Sequence, residues 1–102
     1  MDEYVKVGET DEPRPGQTKF VRIDGKAVLL VNVDGQFYAL SNFCTHSRCY
    51  LHKGKLKGKV ITCPCHFAEF DLTTGAVLSP PAKERLESYP VKVEGTDILV
   101  AL

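Results

Sequence analysis

Apolar and polar positions along this chain alternate in short runs, not in helical stripes. Phe20–Ile23 is followed by Asp24-Gly25, Ala27–Val33 (AVLLVNV) by Asp34-Gly35, and then comes Phe37–Leu40. Asp-Gly between apolar runs is a hairpin signal, because glycine supplies the positive φ that a tight turn needs. Further strands are predicted at Lys59–Thr62, Glu69–Leu72, Tyr89–Val93 and Ile98–Ala101, punctuated by Thr74-Gly75 and Gly95-Thr96. Ala82–Glu87 (AKERLE) holds good helix formers, but it is short and lies between Pro80-Pro81 and Pro90. Isolated helices of that length are marginal, so extended or turn structure is expected there. No repeat, low-complexity tract or internal linker interrupts the pattern. The predicted class is all-β: small antiparallel sheets, stacked as a sandwich or curled into a partial barrel.

A length of 102 residues predicts one domain spanning 1–102, with a core adequate for folding. Apolar residues at 43% and charged residues at 25% are ordinary values, so disorder is not expected. Thirteen basic residues balance thirteen acidic ones, which argues against nucleic acid as a partner. No apolar run approaches the length that crosses a bilayer. The opening Met1-Asp2-Glu3 has neither the positive region nor the apolar stretch of a secretory signal. The expectation is a soluble, cytoplasmic monomer without a membrane anchor.

Cysteine usage changes the picture. Cys44, Cys49, Cys63 and Cys65 fall in one 22-residue window, and His46, His52 and His66 lie inside or beside it. In a chain without an export signal, clustered Cys and His more often bind metal than form a disulfide framework. The pattern is C-x-H (Cys44, His46), sixteen residues, then C-x-x-H (Cys63, His66). Each segment offers one thiolate and one imidazole, with a strand candidate between them, so two β-loops could close on one centre. Two Cys and two His suit tetrahedral zinc. They equally suit a 2Fe–2S cluster in which one iron takes both thiolates and the other both imidazoles. Zinc sites generally place a Cys pair before a His pair, whereas here the two types are interleaved. That order lets each loop present its Cys to one iron and its His to the other, an arrangement a mononuclear ion does not need.

The spacing C-x-H-x16-C-x-x-H resembles the signature of Rieske iron–sulfur proteins. The likeness extends to Leu56-x-Gly58, Val60-Ile61-x-Cys63, Phe70-Asp71, Thr74-Gly75, Pro80-Pro81-Ala82 and Tyr89-Pro90-Val91-Lys92-Val93. It covers nearly the whole chain from about residue 19 onward. The resemblance implies one Rieske-type 2Fe–2S cluster, with Cys44 and Cys63 on one iron and His46 and His66 on the other. In the respiratory branch of the family, cysteines at the places of Cys49 and Cys65 form a disulfide that ties the cluster loops together. Many dioxygenase-type ferredoxins lack them. A Cys49–Cys65 disulfide is expected, because the resemblance puts both cysteines close to one cluster. Two small buried apolar residues are the bland alternative, and a plant-type all-cysteine site beginning at Cys44-x4-Cys49 lacks its third cysteine. The respiratory pattern also places Ser and Tyr after the second loop, donating to cluster sulfurs. Here Ala68 and Phe70 stand instead, and neither side chain donates. A reduction potential in the lower half of the Rieske range is expected, and quinol oxidation is disfavoured.

The resemblance implies a one-electron carrier, a ferredoxin and not an enzyme. Its implied partners are a flavoprotein reductase as donor and an oxygenase or other redox enzyme as acceptor. Two alternatives are a small Rieske subunit of a larger complex, such as a nitrite reductase, and a zinc-stabilised interaction module. Among other residues, His52 has no ligand partner at a sensible spacing and reads as a surface histidine. Lys53, Lys55, Lys57 and Lys59 alternate and would share one side of a strand, either as a protected sheet edge or as a basic docking face. Asp2, Glu3, Glu9, Asp11 and Glu12 read as a solvated acidic region. Phe67 either shields the cluster or belongs to the core. Pro80 and Pro81 either cover the cluster or merely end a strand.

Overall fold

Both Asp-Gly pairs form the turns that their chemistry requires. Asp24 and Gly25 have φ of 49° and 79°, and Asp34 and Gly35 have 52° and 92°. Two consecutive positive φ values give a turn whose twist matches that of the flanking strands. A computed structural model describes residues 3–44, 49–65, 67–79 and 84–101. The turns join β2 (Thr18–Ile23), β3 (Lys26–Val33) and β4 (Gln36–Ser41) into an antiparallel meander. The remaining strands are β1 (Tyr4–Glu9), β5 (Lys55–Lys57), β6 (Val60–Thr62), β7 (Glu69–Asp71), β8 (Val77–Ser79), β9 (Ser88–Tyr89), β10 (Val91–Glu94) and β11 (Asp97–Ala101). They build three sheets, ordered β1-β11-β10, β2-β3-β4-β9 and β5-β6-β7-β8. The longest helical element among the described residues is a single 3-10 turn, Leu51–Lys53.

β3 explains the layering. Its run from Ala27 to Asn32 is buried without a break, the mark of a strand covered on both faces. Val28 and Leu30 pack with Val7, Ile98 and Val100 of the β1-β11-β10 sheet. Leu29 and Val31 pack with Ile61, Phe70 and Leu72 on the β6–β7 side. The middle sheet thus separates two cores, and Cys44 and Cys63 belong to the second.

Several elements depart from the sequence expectations. The segment predicted as solvated and acidic contains β1, which pairs with β11 from Tyr4↔Ala101 to Glu9↔Asp97 through an irregularity between Lys6 and Gly8. Glu9 and Glu12 do stay exposed, held by Lys6 at 3.5 Å and by Lys19 at 3.3 Å. Tyr89–Val93 is not one strand. Pro90 lacks the N–H a ladder needs, and there the chain leaves β4, its partner through β9, to pair with β11 through β10. One expectation is met: residues 84–87 form no helix, as their short, proline-flanked stretch suggested, while Ala82 and Lys83 lie outside the described residues.

Candidate metal centre

Two loops carry the chemistry. The first runs from Cys44 to Cys49, closed by the Cys44 N–H donating to the Cys49 carbonyl at 2.9 Å and by the bridge Phe43↔Tyr50. The second connects β6 to β7. There the Cys63 N–H donates to the Ala68 carbonyl at 2.8 Å and the Phe67 N–H to the Cys63 carbonyl at 3.1 Å. The described ends of each loop are therefore tied to each other through the backbone. Cys44 and Cys63 remain thiols and are buried, 1% and 0% exposed. Leu51, Ile61, Ala68 and Phe70, all fully buried, share their core.

Cys49 and Cys65 form the expected disulfide, with Cα atoms 6.5 Å apart, and it stitches the two loops together. The Sγ atoms of Cys49, Cys63 and Cys65 lie within 4.8 Å of one another. While two of those sulfurs are bonded to each other they are not thiolate ligands. Cys44 and Cys63 are the two cysteines outside that bond. His46 and His66 lie outside the described residues. Two thiols at the feet of two self-closed, cross-linked loops, each loop also containing one histidine, fit a cluster that needs two thiolates and two imidazoles.

His52 is not the plain surface residue that its spacing suggested. It is half-buried, and its ring stacks on Phe20 at 5.0 Å and 10°. Its backbone N–H donates to Asn42 Oδ1 at 2.9 Å, which turns Asn42 Nδ2 toward His52 Nδ1 at 2.7 Å. Nδ1 therefore accepts and the ring proton sits on Nε2. Burial, with Lys53 adding to it, pushes the His52 pKa down, which keeps the acceptor neutral. Asn42 is fully buried; its N–H donates to the Ala27 carbonyl and its own carbonyl accepts from Leu51 N–H. This residue, two positions before Cys44, anchors the foot of the first loop. Sequence reasoning missed it, because a lone Asn at a strand end carries no periodic signal.

Phe67 is not core. It is 72% exposed, with φ of 62°, an uncommon value for a bulky side chain. Its neighbours Ala68 and Phe70 are both fully buried. The lysines do not form one row. Lys55 and Lys57 project from the edge strand β5, as the protected-edge reading expected. Lys53 lies in the 3-10 turn, and Lys59 sits in the β5–β6 turn with its ammonium 3.3 Å from Asp71. Asp71 is also held by the Thr73 hydroxyl at 2.6 Å and the Thr73 N–H at 2.8 Å. These bonds, the hydroxyl's first among them, hold its carboxyl below the usual carboxylate range. Asp71 thereby fixes the turn that leads to Gly75, whose carbonyl accepts from Leu86 N–H at 2.8 Å. That contact secures the chain just after Pro80 and Pro81, which themselves lie outside the described residues. Among the described residues, no helix is long and apolar enough to cross a membrane.

Comparison with known proteins agrees with this geometry. Residues 3–90 match the Rieske [2Fe-2S] domain family. The biphenyl dioxygenase ferredoxin subunit of Pseudomonas sp. (strain KKS102) is 41% identical over 98 residues, covering 95% of this chain and 90% of that protein. The ferredoxin of carbazole 1,9a-dioxygenase from Nocardioides aromaticivorans IC177 superposes with a TM-score of 0.91 at 37% identity, covering 96% of each chain. A chain from the complex of reduced oxygenase and oxidized ferredoxin in carbazole 1,9a-dioxygenase superposes at 0.92 with 32% identity, covering 99% of this chain and 94% of that one. The zinc-module alternative is thereby set aside. The chain belongs to the Rieske [2Fe-2S] family, and its cofactor is one 2Fe–2S cluster of the Rieske type.

Proposed function

We propose that this protein is a ferredoxin that carries single electrons from a flavoprotein reductase to an oxygenase, working in the cytoplasm as one domain over residues 1–102. The observation that carries this reading is the pair of buried thiols, Cys44 and Cys63, at the feet of two loops locked together by the Cys49–Cys65 disulfide. Cys44 and Cys63 hold one iron, and His46 and His66 hold the other. When bound, such a cluster supplies a one-electron couple in the range of about −150 to +300 mV. The chain's own residues do the rest. The apolar shell of Leu51, Ile61, Ala68 and Phe70 keeps water from the thiolate side. The disulfide and the two loop-closing hydrogen bonds hold Cys44 and Cys63 in place. Ala68 and Phe70 present no hydroxyl, which places the potential in the lower half of that range. The relatives are ferredoxin components of dioxygenase systems, which favours an oxygenase over a nitrite reductase as acceptor. The test is the electron-spin spectrum of the reduced protein. Cys44→Ala, His46→Ala, Cys63→Ala and His66→Ala should each lose the Rieske signal, and His52→Ala should keep it. An unchanged signal in His66→Ala would overturn the ligand assignment.

A further inference from the structure

The disulfide is more than a staple. Its two halves differ, since Cys65 is exposed and Cys49 half-buried, while the neighbouring Cys63 is buried. A reductant therefore reaches the bond from the Cys65 side. Disulfides of this accessible kind are the labile ones in a reducing compartment. Opening the bond leaves three thiols whose sulfurs started within 4.8 Å of one another. A tetrahedral thiolate site with metal–sulfur bonds of about 2.3 Å needs sulfurs about 3.8 Å apart. The disulfide pair only has to part, and Cys63 only has to close in slightly. Neither loop needs to unfold, because each is closed by its own backbone bonds, Cys44 N–H to Cys49 O and Cys63 N–H to Ala68 O. Lys53 and Lys55 line the same groove as Cys63. Two basic residues beside the groove suit the single negative charge left when three thiolates take a divalent cation.

We propose that Cys49, Cys63 and Cys65 form a second, redox-gated metal site, which takes one thiophilic divalent cation of the zinc and cadmium class once the disulfide is reduced. A dithiol reductant gives two electrons and two protons to the Cys49–Cys65 bond and becomes a disulfide itself. The cation then displaces one proton from each of Cys49 and Cys65, takes up the Cys63 thiolate as the iron and sulfide it held with Cys44 are released, and keeps a water in its fourth position. This site and the cluster compete for Cys63, a point that rests on the assignment of Cys63 to the cluster made above. Reduction in the presence of such a cation thus exchanges an electron-carrying state for a redox-inert one.

The experiment uses the full-length, cluster-loaded protein under anaerobic conditions, with cadmium as probe, with and without a phosphine reductant. The phosphine supplies the two electrons and ends as its oxide, water giving the oxygen and both protons. After desalting, one cadmium per chain is expected with reductant and at least tenfold less without it. Iron should leave in step with cadmium uptake. X-ray absorption should find three sulfur neighbours on cadmium, and circular dichroism should retain the strand signal. Cys49→Ser and Cys65→Ser, which keep all four cluster ligands, should each cut retention tenfold or more. Equal uptake without reductant, uptake unaffected by Cys65→Ser, or uptake only by a chain that has lost its strand signal would each overturn the proposal. Two sulfur neighbours with all iron retained would also overturn it. Three sulfur neighbours with all iron retained would leave the site standing and overturn the assignment of Cys63 to the cluster.

Discussion

Replacing Asn42 by Ala removes a side chain that joins the foot of the first cluster loop to the 3-10 turn behind it. Two hydrogen bonds vanish, His52 N–H to Oδ1 at 2.9 Å and Nδ2 to His52 Nδ1 at 2.7 Å. Each contributes about 1 kcal/mol net, and a donor or acceptor left without a partner costs about 1–3 kcal/mol more where water cannot reach it. His52 is half-buried, so water satisfies part of that demand, but Asn42 is fully buried and leaves a void. The expected loss is about 2–4 kcal/mol. For a domain of this size, each kcal/mol moves the midpoint by about 4–8 °C, so a fall of about 8–32 °C is expected. Thermal melts followed by far-ultraviolet dichroism and by visible cluster absorption check this, and both midpoints should fall together, since Cys44 follows the anchor by two residues. A double-mutant cycle with His52→Ala should show a coupling of about 1–2 kcal/mol. A pH series adds a second arm. Because the folded state lowers the His52 pKa, the unfolded chain binds more protons there. The His52 contribution is therefore complete above its ordinary value near 6.5 and is lost as pH falls through the lowered folded value. His52→Ala should flatten that part of the stability curve. An Asn42→Ala midpoint within about 2 °C of wild type, or an additive cycle, would refute the reasoning.

Gly75→Ala should destabilise by at least about 2 kcal/mol in denaturant titration. Gly75 has φ of 83°, and an added Cβ would lie 2.5 Å from the Leu86 carbonyl oxygen; a loss below about 0.5 kcal/mol would contradict this account. Asp71→Asn should lower stability near neutral pH and blunt the acid dependence. The depressed Asp71 pKa makes its contribution complete above the ordinary carboxylate value and lost as pH falls through the folded one. Parallel acid-denaturation curves for the two proteins would count against it. Ala68→Ser should raise the reduction potential measured by voltammetry. A hydroxyl donating to a cluster sulfur favours the reduced state by about 1 kcal/mol, on the order of 40 mV for one electron. No rise in a variant whose new bond is seen would contradict the tuning argument.

The meander and the cluster loops were legible because their signals are local. Asp24-Gly25 and Asp34-Gly35 impose their turns through backbone sterics alone, and the interleaved Cys and His spacing is a chemical pattern within one window. β1 was not legible. Its partner β11 lies at the far end of the chain, so the short stretch YVKVGE gains its stability from a pairing that no local pattern encodes. The sheet switch at Pro90 was only half legible: proline forbids a central ladder position, but which strands it separates depends on tertiary contacts. His52 read as a surface histidine and Asn42 drew no reading, because their value lies in a contact ten positions apart. Phe67 was ambiguous for a similar reason. Its outward placement follows from a backbone φ that its residue type does not favour.

The central claim is that two histidines, His46 and His66, bind one iron of the cluster while Cys44 and Cys63 bind the other. Pulsed electron-spin spectroscopy of the reduced protein, prepared with 15N-labelled histidine only, tests this most directly. The account predicts two strongly coupled nitrogens that change from 14N to 15N signatures on labelling, one of them lost in any cluster that still forms in His46→Cys. Spectra with no strongly coupled nitrogen, or with couplings unchanged by the label, would contradict it.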